Sequence, residues 1–120
     1  MKTILFIEDN IEIRENITEF LELEGFAVLT AENGNEGIDM AKSNIPDLIL
    51  CDVLMPLVTG YEVLTQLKKH QATSEIPFIF VSASTEKKDI QVGLDMGADG
   101  YIRKPFEMEE LLLEIGKVIE

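Results

Sequence analysis

The sequence predicts an α/β protein in which a parallel sheet is covered by helices on both faces. Short apolar runs, typical of buried strands, alternate along the whole chain with segments whose apolar residues recur at helical spacing. Three of these runs also end in side chains that carry chemistry, namely Glu8 and Asp9, Asp52, and Ser82. Alternation and polar strand ends together favour an open, doubly wound sheet.

Five runs are predicted to be strands because they are short, apolar and bounded by polar or turn-forming residues. The run that ends at Asp52 is apolar at successive positions, as strands buried on both faces are. Pro77 stands first in its run, where a missing N–H group is tolerated. In chain order, the predicted strands cover residues 3–7, 26–30, 47–52, 77–82 and 101–103.

Five segments between and after these runs are predicted to be helices. Asp9 or Asn10 can cap the first, since short polar side chains accept from the exposed amides of a first turn, and Gly25 stops it. Asn33-Gly34 predicts a turn before the second helix. The last helix, from Met108, has the clearest apolar stripe. The second to fourth helices are predicted over residues 36–43, 61–70 and 86–96.

Composition narrows the class of protein. The chain has 120 residues, of which 46% are hydrophobic, enough for one domain with its own core and no disulfide or metal staple. Cys51 is the only cysteine, and the sequence has neither a signal peptide nor an apolar stretch of membrane-spanning length. A net charge of −13 disfavours binding to nucleic acids and anionic membranes. We therefore expect a soluble, cytoplasmic protein.

Polar side chains at several strand ends are expected to meet. The carboxyl ends of parallel strands lie at one edge of a sheet, where ligands bind in open α/β folds. That edge would bring Glu8, Asp9 and Asp52 together with the Ser82 hydroxyl, and the segment after the fifth strand would add Lys104. Three neighbouring carboxylates repel one another, so the edge invites a cation.

Four short motifs mark the ends of the first, third, fourth and fifth strands. They are Glu8-Asp9-Asn10, Asp52 followed by Met55-Pro56 and Gly60, Ser82-Ala83, and Lys104-Pro105-Phe106. In this order and spacing, the set resembles the receiver domain of bacterial response regulators, over essentially the whole chain. The resemblance implies a single-domain (βα)5 flavodoxin-like sandwich with strand order 2-1-3-4-5. It also implies that residues 1–120 form one receiver domain, with no output domain in this chain.

The resemblance assigns the acidic residues. Asp52 matches the phosphoacceptor, which takes a phosphoryl group from a phosphohistidine of a sensor kinase or phosphotransfer protein. Asp9 and Asp52 match direct ligands of Mg²⁺, Glu8 matches the neighbour that acts through water, and the backbone carbonyl of Leu54 matches a further ligand. Mg²⁺ suits such a site because it is a hard cation that prefers oxygen ligands.

The remaining motif residues are implied to serve the transfer and the switch. Lys104 would neutralise a phosphoryl oxygen, and Pro105 matches a cis proline. Ser82 matches the hydroxyl that contacts the phosphoryl group, and Tyr101 the aromatic residue that swings inward when this hydroxyl moves. The family's phosphorylation-operated modules are switches with slow self-dephosphorylation, not turnover enzymes.

The resemblance also implies partners. The modified domain would act on a downstream protein target or on an output domain outside this chain, and it could form a phosphorylation-dependent homodimer. The expected contact face comprises the fourth helix, fifth strand and fifth helix, with Lys87, Lys88, Tyr101, Arg103, Glu107 and Glu110.

Two positions tune the loss of phosphate in the family, and Leu54 and Ser84 stand there in this chain. Because the apolar Leu54 cannot orient an attacking water, our hypothesis is that hydrolysis of phospho-Asp52 is slower here than in relatives with a polar residue at that position.

Three other functions share some of these sequence features. A degenerate receiver would bind partners without phosphorylation. A Mg²⁺-dependent phosphatase with an aspartyl-phosphate intermediate needs a second carboxylate two residues after the nucleophile, where Leu54 stands. A flavin-binding electron carrier of the same topology is disfavoured because Glu8 and Asp9 would repel the flavin phosphate.

Overall fold

The protein folds as a five-stranded sheet with helices on both faces, in a computed structural model that describes residues 1–83 and 87–119. The strands are β1 (Thr3–Ile7), β2 (Ala27–Ala31), β3 (Leu48–Asp52), β4 (Phe78–Ser82) and β5 (Gly100–Arg103). The helices are α1 (Ile11–Leu23), α2 (Gly34–Asn44), α3 (Gly60–Lys68), α4 (Lys87–Asp95) and α5 (Met108–Val118).

All four strand pairings are parallel, in the order β2-β1-β3-β4-β5. The predicted fold class and strand order are therefore confirmed. Each strand boundary lies within one residue of its prediction, as in β5, which begins at Gly100 and not at Tyr101. The short apolar runs identified the strands because the central ones are buried along their whole length.

Helix ends differ more from the predictions. Asn33-Gly34 was predicted to be a turn, but Asn33 is the N-cap of α2, and its side chain accepts a hydrogen bond from the Glu36 amide. Asn10 caps α1, as expected, by accepting from the Ile13 amide. Helix α3 ends two residues before the predicted end, and the predicted start of α4 at residue 86 lies outside the described residues.

The core consists of two apolar layers, one on each face of the sheet. Strands β1, β3 and β4 contribute side chains to both layers, mainly leucine, isoleucine, phenylalanine and valine. Each such large side chain stabilises the fold by roughly 1.5–3 kcal/mol when fully buried. The helices complete one layer with Ile17, Leu21, Leu111 and Ile115, and the other with Ala41, Val63, Leu64 and Leu67.

In the described part of the chain, no helix has the length and apolar character needed to cross a bilayer.

Gly60 brings the start of α3 against the end of β3. Its amide donates to the Val53 carbonyl at 2.9 Å. A Cβ atom at this position would overlap the carbonyl oxygen of Asp52. The glycine of the sequence motif is therefore required by close backbone approach, which fixes the loop that follows the phosphoacceptor candidate.

Candidate functional site

Three carboxylates meet at the carboxyl edge of the sheet, as predicted. Ile7 pairs with Cys51 in the parallel register of β1 and β3, so the residues that follow each partner are neighbours. One carboxylate oxygen from each of Glu8, Asp9 and Asp52 lies within 4.8 Å of the others. Glu8 is 1% exposed and Asp52 is 6% exposed, whereas Asp9 is open to solvent.

Protein groups hold both the backbone and the carboxylate of Glu8. Its amide donates to the Ala31 carbonyl at 3.0 Å, which joins the end of β1 to the end of β2. Its Oε2 atom accepts from the Asn10 amide at 3.2 Å, and its Oε1 atom accepts from Lys104 Nζ at 2.8 Å. Both carboxylate oxygens are thus occupied by protein groups, so a role toward a metal through a bridging water fits this residue better than direct ligation.

Lys104 reaches the cluster from the loop after β5. Its Nζ atom lies 2.8 Å from Glu8 Oε1 and 3.7 Å from Asp52 Oδ1. Its backbone amide donates to the Ser82 carbonyl at 2.7 Å, which ties this loop to the end of β4. The Lys104–Pro105 peptide bond is cis, as expected.

The two switch candidates lie on neighbouring strands. Ser82 is fully buried at the end of β4. Tyr101 is half-buried on β5, with its ring centroid 6.0 Å from that of Phe80 and its hydroxyl oxygen buried. Burial, and then the neighbouring Tyr101, raises the pKa of Tyr61 on α3. The Tyr101 ring thus packs beside Phe80, and its hydroxyl oxygen is shielded from solvent in this structure.

Burial and repulsion make Asp52 hard to ionise. Burial is the main cause that raises its pKa to about 7, followed by the Glu8 charge, which the nearby Lys104 partly offsets; a hydrogen bond with Glu8 and the Asp9 charge raise it further. Burial also raises the pKa of the Cys51 thiol well above its usual value, with Asp52 and Glu8 adding to the effect. The cluster thus has excess negative charge that a bound cation would relieve.

The donor set fits a hard divalent cation. Carboxylate oxygens are the ligands that Mg²⁺ prefers, and Mg²⁺ keeps several of its waters, which the exposed side of Asp9 leaves room for. Leu54 lies in the loop after β3 with its side chain 68% exposed. Coordination by its carbonyl stays a prediction.

Apolar surface surrounds this polar cluster. Ile11 is exposed in the first turn of α1, and Leu54 and Leu57 are exposed in the loop that follows β3. An open cleft of about 450 Å³ lies beside Lys104, between the start of α1 and the start of α5. Its lining comprises Ile13, Asn16, Ile17, Ala83, Lys104, Pro105, Phe106 and Met108. Exposed apolar side chains of this kind are available to a protein partner that approaches the carboxylates.

The predicted contact face is only partly described. Ser84 lies outside the described residues, as does the side chain of Lys87. The other predicted residues lie where a partner could reach them, with Tyr101 half-buried and four side chains exposed. These four are Lys88, Arg103, Glu107 and Glu110.

Sequence reasoning missed Arg14. Its Nη1 atom donates to the Glu8 carbonyl at 2.8 Å, and its side chain is 12% exposed. A signal was available, because Arg14 lies near the N-terminus of α1, where the helix dipole disfavours a cation. Such a position suggests that the guanidinium has a specific partner nearby.

Comparisons with known proteins agree with this geometry. The family model for the response regulator receiver domain matches residues 4–116. A probable transcriptional regulator, ycf29 of Pyropia yezoensis, is 44% identical over 97% of this chain and 52% of its own length. Response regulator SaeR of Staphylococcus aureus is 34% identical over 99% of this chain and 51% of its own length. The chain thus spans about half the length of these relatives.

Solved structures share the whole fold. Chemotaxis protein CheY4 of Vibrio cholerae superposes with a TM-score of 0.94 at 31% identity and covers 99% of both chains. Response regulator TrrA of Thermotoga maritima, solved in complex with Mg²⁺ and BeF, superposes with a TM-score of 0.88 at 32% identity, over 99% of this chain and 100% of its own. With the family match over nearly its whole length, the chain belongs to the receiver domains of two-component response regulators.

Proposed function

We propose that this chain is a phosphorylation-operated switch in which Asp52 accepts a phosphoryl group from a phosphohistidine. The observation that carries the proposal is the convergence of Glu8, Asp9 and Asp52 within 4.8 Å, with Lys104 Nζ 3.7 Å from the Asp52 carboxylate. Family membership supports the same reaction. The donor would be a sensor histidine kinase or a phosphotransfer protein.

The transfer is a displacement at phosphorus. An oxygen of the Asp52 carboxylate forms a bond to phosphorus while the phosphorus–nitrogen bond to the donor histidine breaks, and the imidazole nitrogen takes up a proton. The reaction needs alignment and charge neutralisation more than covalent help from the protein. Mg²⁺, when bound, supplies part of that neutralisation. Asp9 and Asp52 would hold it directly, Glu8 through water, and Leu54 through its carbonyl.

Lys104 supplies the second positive charge. Its side chain is only 17% exposed, so its charge is poorly screened by solvent. In our proposal it leaves Glu8 to contact an oxygen of the phosphoryl group on Asp52. A compact ammonium suits this role because it acts as a point charge toward phosphate.

Ser82 and Tyr101 would convert modification into a change of surface. The Ser82 hydroxyl moves to contact the phosphoryl group. Tyr101 then favours its inward position, and the packing between α4 and β5 changes accordingly. This is a population shift biased by one charged group, so the chain is a switch with slow self-dephosphorylation and not a turnover enzyme.

We propose that partners recognise the switched state through the surface formed by α4, β5 and α5. Lys88, Arg103 and Glu110 are exposed there beside Tyr101. The curated relatives are about twice as long as this chain, which supports an output domain outside it or a separate target protein. A homodimer formed through the same surface after phosphorylation is a further form of this proposal.

Intact mass is the test of the proposed function. The protein is incubated with Mg²⁺ and acetyl phosphate, a small phosphodonor, and its mass is followed. We expect a gain of one phosphoryl group that requires Mg²⁺, disappears in Asp52→Asn and persists in Asp39→Asn, a control at an exposed aspartate of α2. A folded wild type that gains no mass would contradict the proposal and leave a receiver that binds partners unmodified.

A further inference from the structure

We propose that Arg14 is a positioning residue of the cation site, which holds the turn between β1 and α1 in the geometry that Mg²⁺ requires. This inference rests on the proposed function, because it assigns a residue to the same site. Arg14 contacts no phosphoryl group or metal in this account. It acts through Glu8 and Asp9.

The contact that carries the inference is a hydrogen bond to the backbone. Arg14 Nη1 donates to the Glu8 carbonyl oxygen at 2.8 Å, and the side chain is 12% exposed. The other arm of the guanidinium lies 3.9 Å from Glu32 Oε1, and the Glu32 side chain is 70% exposed. Because exposed ion pairs contribute little, the bond to the carbonyl is the stronger of the two contacts.

This bond fixes one side of Asp9, and other bonds fix the other side. The peptide before Asp9 includes the carbonyl that Arg14 holds. After Asp9, the Asn10 amide donates to the Glu8 carboxylate at 3.2 Å, and the Asn10 side chain accepts from the Ile13 amide at 3.1 Å. Asp9 itself is exposed, so its orientation depends on these two restrained peptides.

A cation in this place is otherwise unfavourable. The N-terminus of a helix carries partial positive charge, which raises the energy of an arginine near it. A nearby positive charge also repels a metal ion. If Arg14 were only a charge near the acidic cluster, its removal would strengthen Mg²⁺ binding. If Arg14 positions the turn, its removal weakens Mg²⁺ binding, so the two roles predict opposite signs.

The choice of metal gives a second criterion. Mg²⁺ demands near-ideal octahedral geometry, whereas Ca²⁺ accepts irregular and flexible coordination. A loosened turn should therefore lose Mg²⁺ affinity more than Ca²⁺ affinity. General destabilisation of the fold would lower both affinities together and leave their ratio unchanged.

The test is a titration of wild type, Arg14→Met, Arg14→Lys and Glu32→Gln with MgCl₂ and separately with CaCl₂. Amide chemical shifts of Asp9 and Asn10 report binding, and circular dichroism confirms folding. We expect Arg14→Met to bind Mg²⁺ about tenfold more weakly, as is typical when a partner of a metal ligand is lost, with a smaller loss for Ca²⁺. Glu32→Gln keeps the bond to the carbonyl and should stay within about twofold of wild type.

Arg14→Lys keeps the charge but replaces the planar fork with a single ammonium, so we expect an affinity between those of wild type and Arg14→Met. It also serves as the decisive variant if Arg14→Met does not fold. Unchanged or tighter Mg²⁺ binding by a folded Arg14 variant, or a ratio of Mg²⁺ to Ca²⁺ affinity that the Arg14 substitutions leave unchanged, overturns the positioning role alone. A wild type that binds no Mg²⁺ overturns the proposed site and this inference together.

Discussion

In this structure the ammonium of Lys104 is bound to Glu8 more closely than to Asp52. The distances from Nζ are 2.8 Å to Glu8 Oε1 and 3.7 Å to Asp52 Oδ1. Glu8 is 1% exposed, so Lys104 serves as the counter-ion of a buried carboxylate. A phosphoryl group on Asp52 must therefore compete with Glu8 for this lysine.

Lys104→Met should destabilise the metal-free protein by about 3 kcal/mol, because it leaves Glu8 buried without its counter-ion. Urea denaturation in the presence of a chelator measures the loss, and added Mg²⁺ should restore part of it. Lys117→Met is the control, since its ion pair with Glu114 is exposed and should contribute less than about 1 kcal/mol. Equal effects of the two substitutions would show that the Lys104–Glu8 pair is not a buried ion pair in solution.

Asp52→Asn should stabilise the metal-free protein at alkaline pH. Burial and the Glu8 charge raise the pKa of Asp52 from 3.8 to about 7 in the folded state, so the folded state binds this proton more tightly than the unfolded state. The Asp52 contribution to stability therefore falls as pH rises from about 4 to about 7 and is constant above that. Urea denaturation of both proteins across this range should show a variant advantage that grows with pH. A difference that does not change with pH would contradict the raised pKa.

Leu54→Asn should speed the loss of phosphate from Asp52. Leu54 is 68% exposed beside the acceptor strand and cannot hydrogen-bond to an attacking water, whereas asparagine can. The rate is read from the decay of phosphorylated mass after the phosphodonor is removed. Leu57→Asn, at another exposed leucine of the same loop, serves as the control. The slow-hydrolysis hypothesis fails if phosphate leaves Leu54→Asn no faster than wild type.

Ile45→Asn should raise stability by about 1 kcal/mol. Ile45 ends α2 with a φ of 44°, a left-handed conformation that is costly for a β-branched residue and that asparagine tolerates. Ile45 is 47% exposed, so the substitution gives up only part of the apolar burial of a core isoleucine, and the relief of strain must exceed that loss. Thermal denaturation measures the gain, and Ile11→Asn, at an exposed isoleucine in the first turn of α1, should show none. A lower melting temperature for Ile45→Asn would mean that the side chain contributes more than the strain costs.

The fold could be predicted because its signals are local and periodic. The run that ends at Asp52 is apolar throughout, and continuous apolar character is the pattern of a strand that is buried on both faces. The meeting of Glu8, Asp9 and Asp52 also follows from sequence, since parallel strands bring their carboxyl ends to one edge. The chemical roles of these residues came from the family resemblance and stay predictions.

Other features could not be predicted because they depend on choices that residue types leave open. Asn33 is equally suited to a turn and to a helix cap, and the tertiary structure selects the cap. Lys104 Nζ lies closer to Glu8 than to Asp52 by less than the length of one methylene group, and residue types alone do not determine so small a difference in distance. Arg14 binds a backbone carbonyl. Because any residue could supply that group, the partner of Arg14 cannot be identified from the sequence.

The most direct test of the central claim is to locate the phosphoryl linkage. Borohydride reduces an aspartyl phosphate to homoserine, so the protein is phosphorylated with acetyl phosphate and Mg²⁺, reduced, digested and sequenced by mass spectrometry. We expect homoserine at position 52 and at no other carboxylate, with none formed when Mg²⁺ is withheld. Homoserine at another position, or its absence from a folded protein that retains Mg²⁺ binding, would contradict the assignment of Asp52 as the phosphoacceptor.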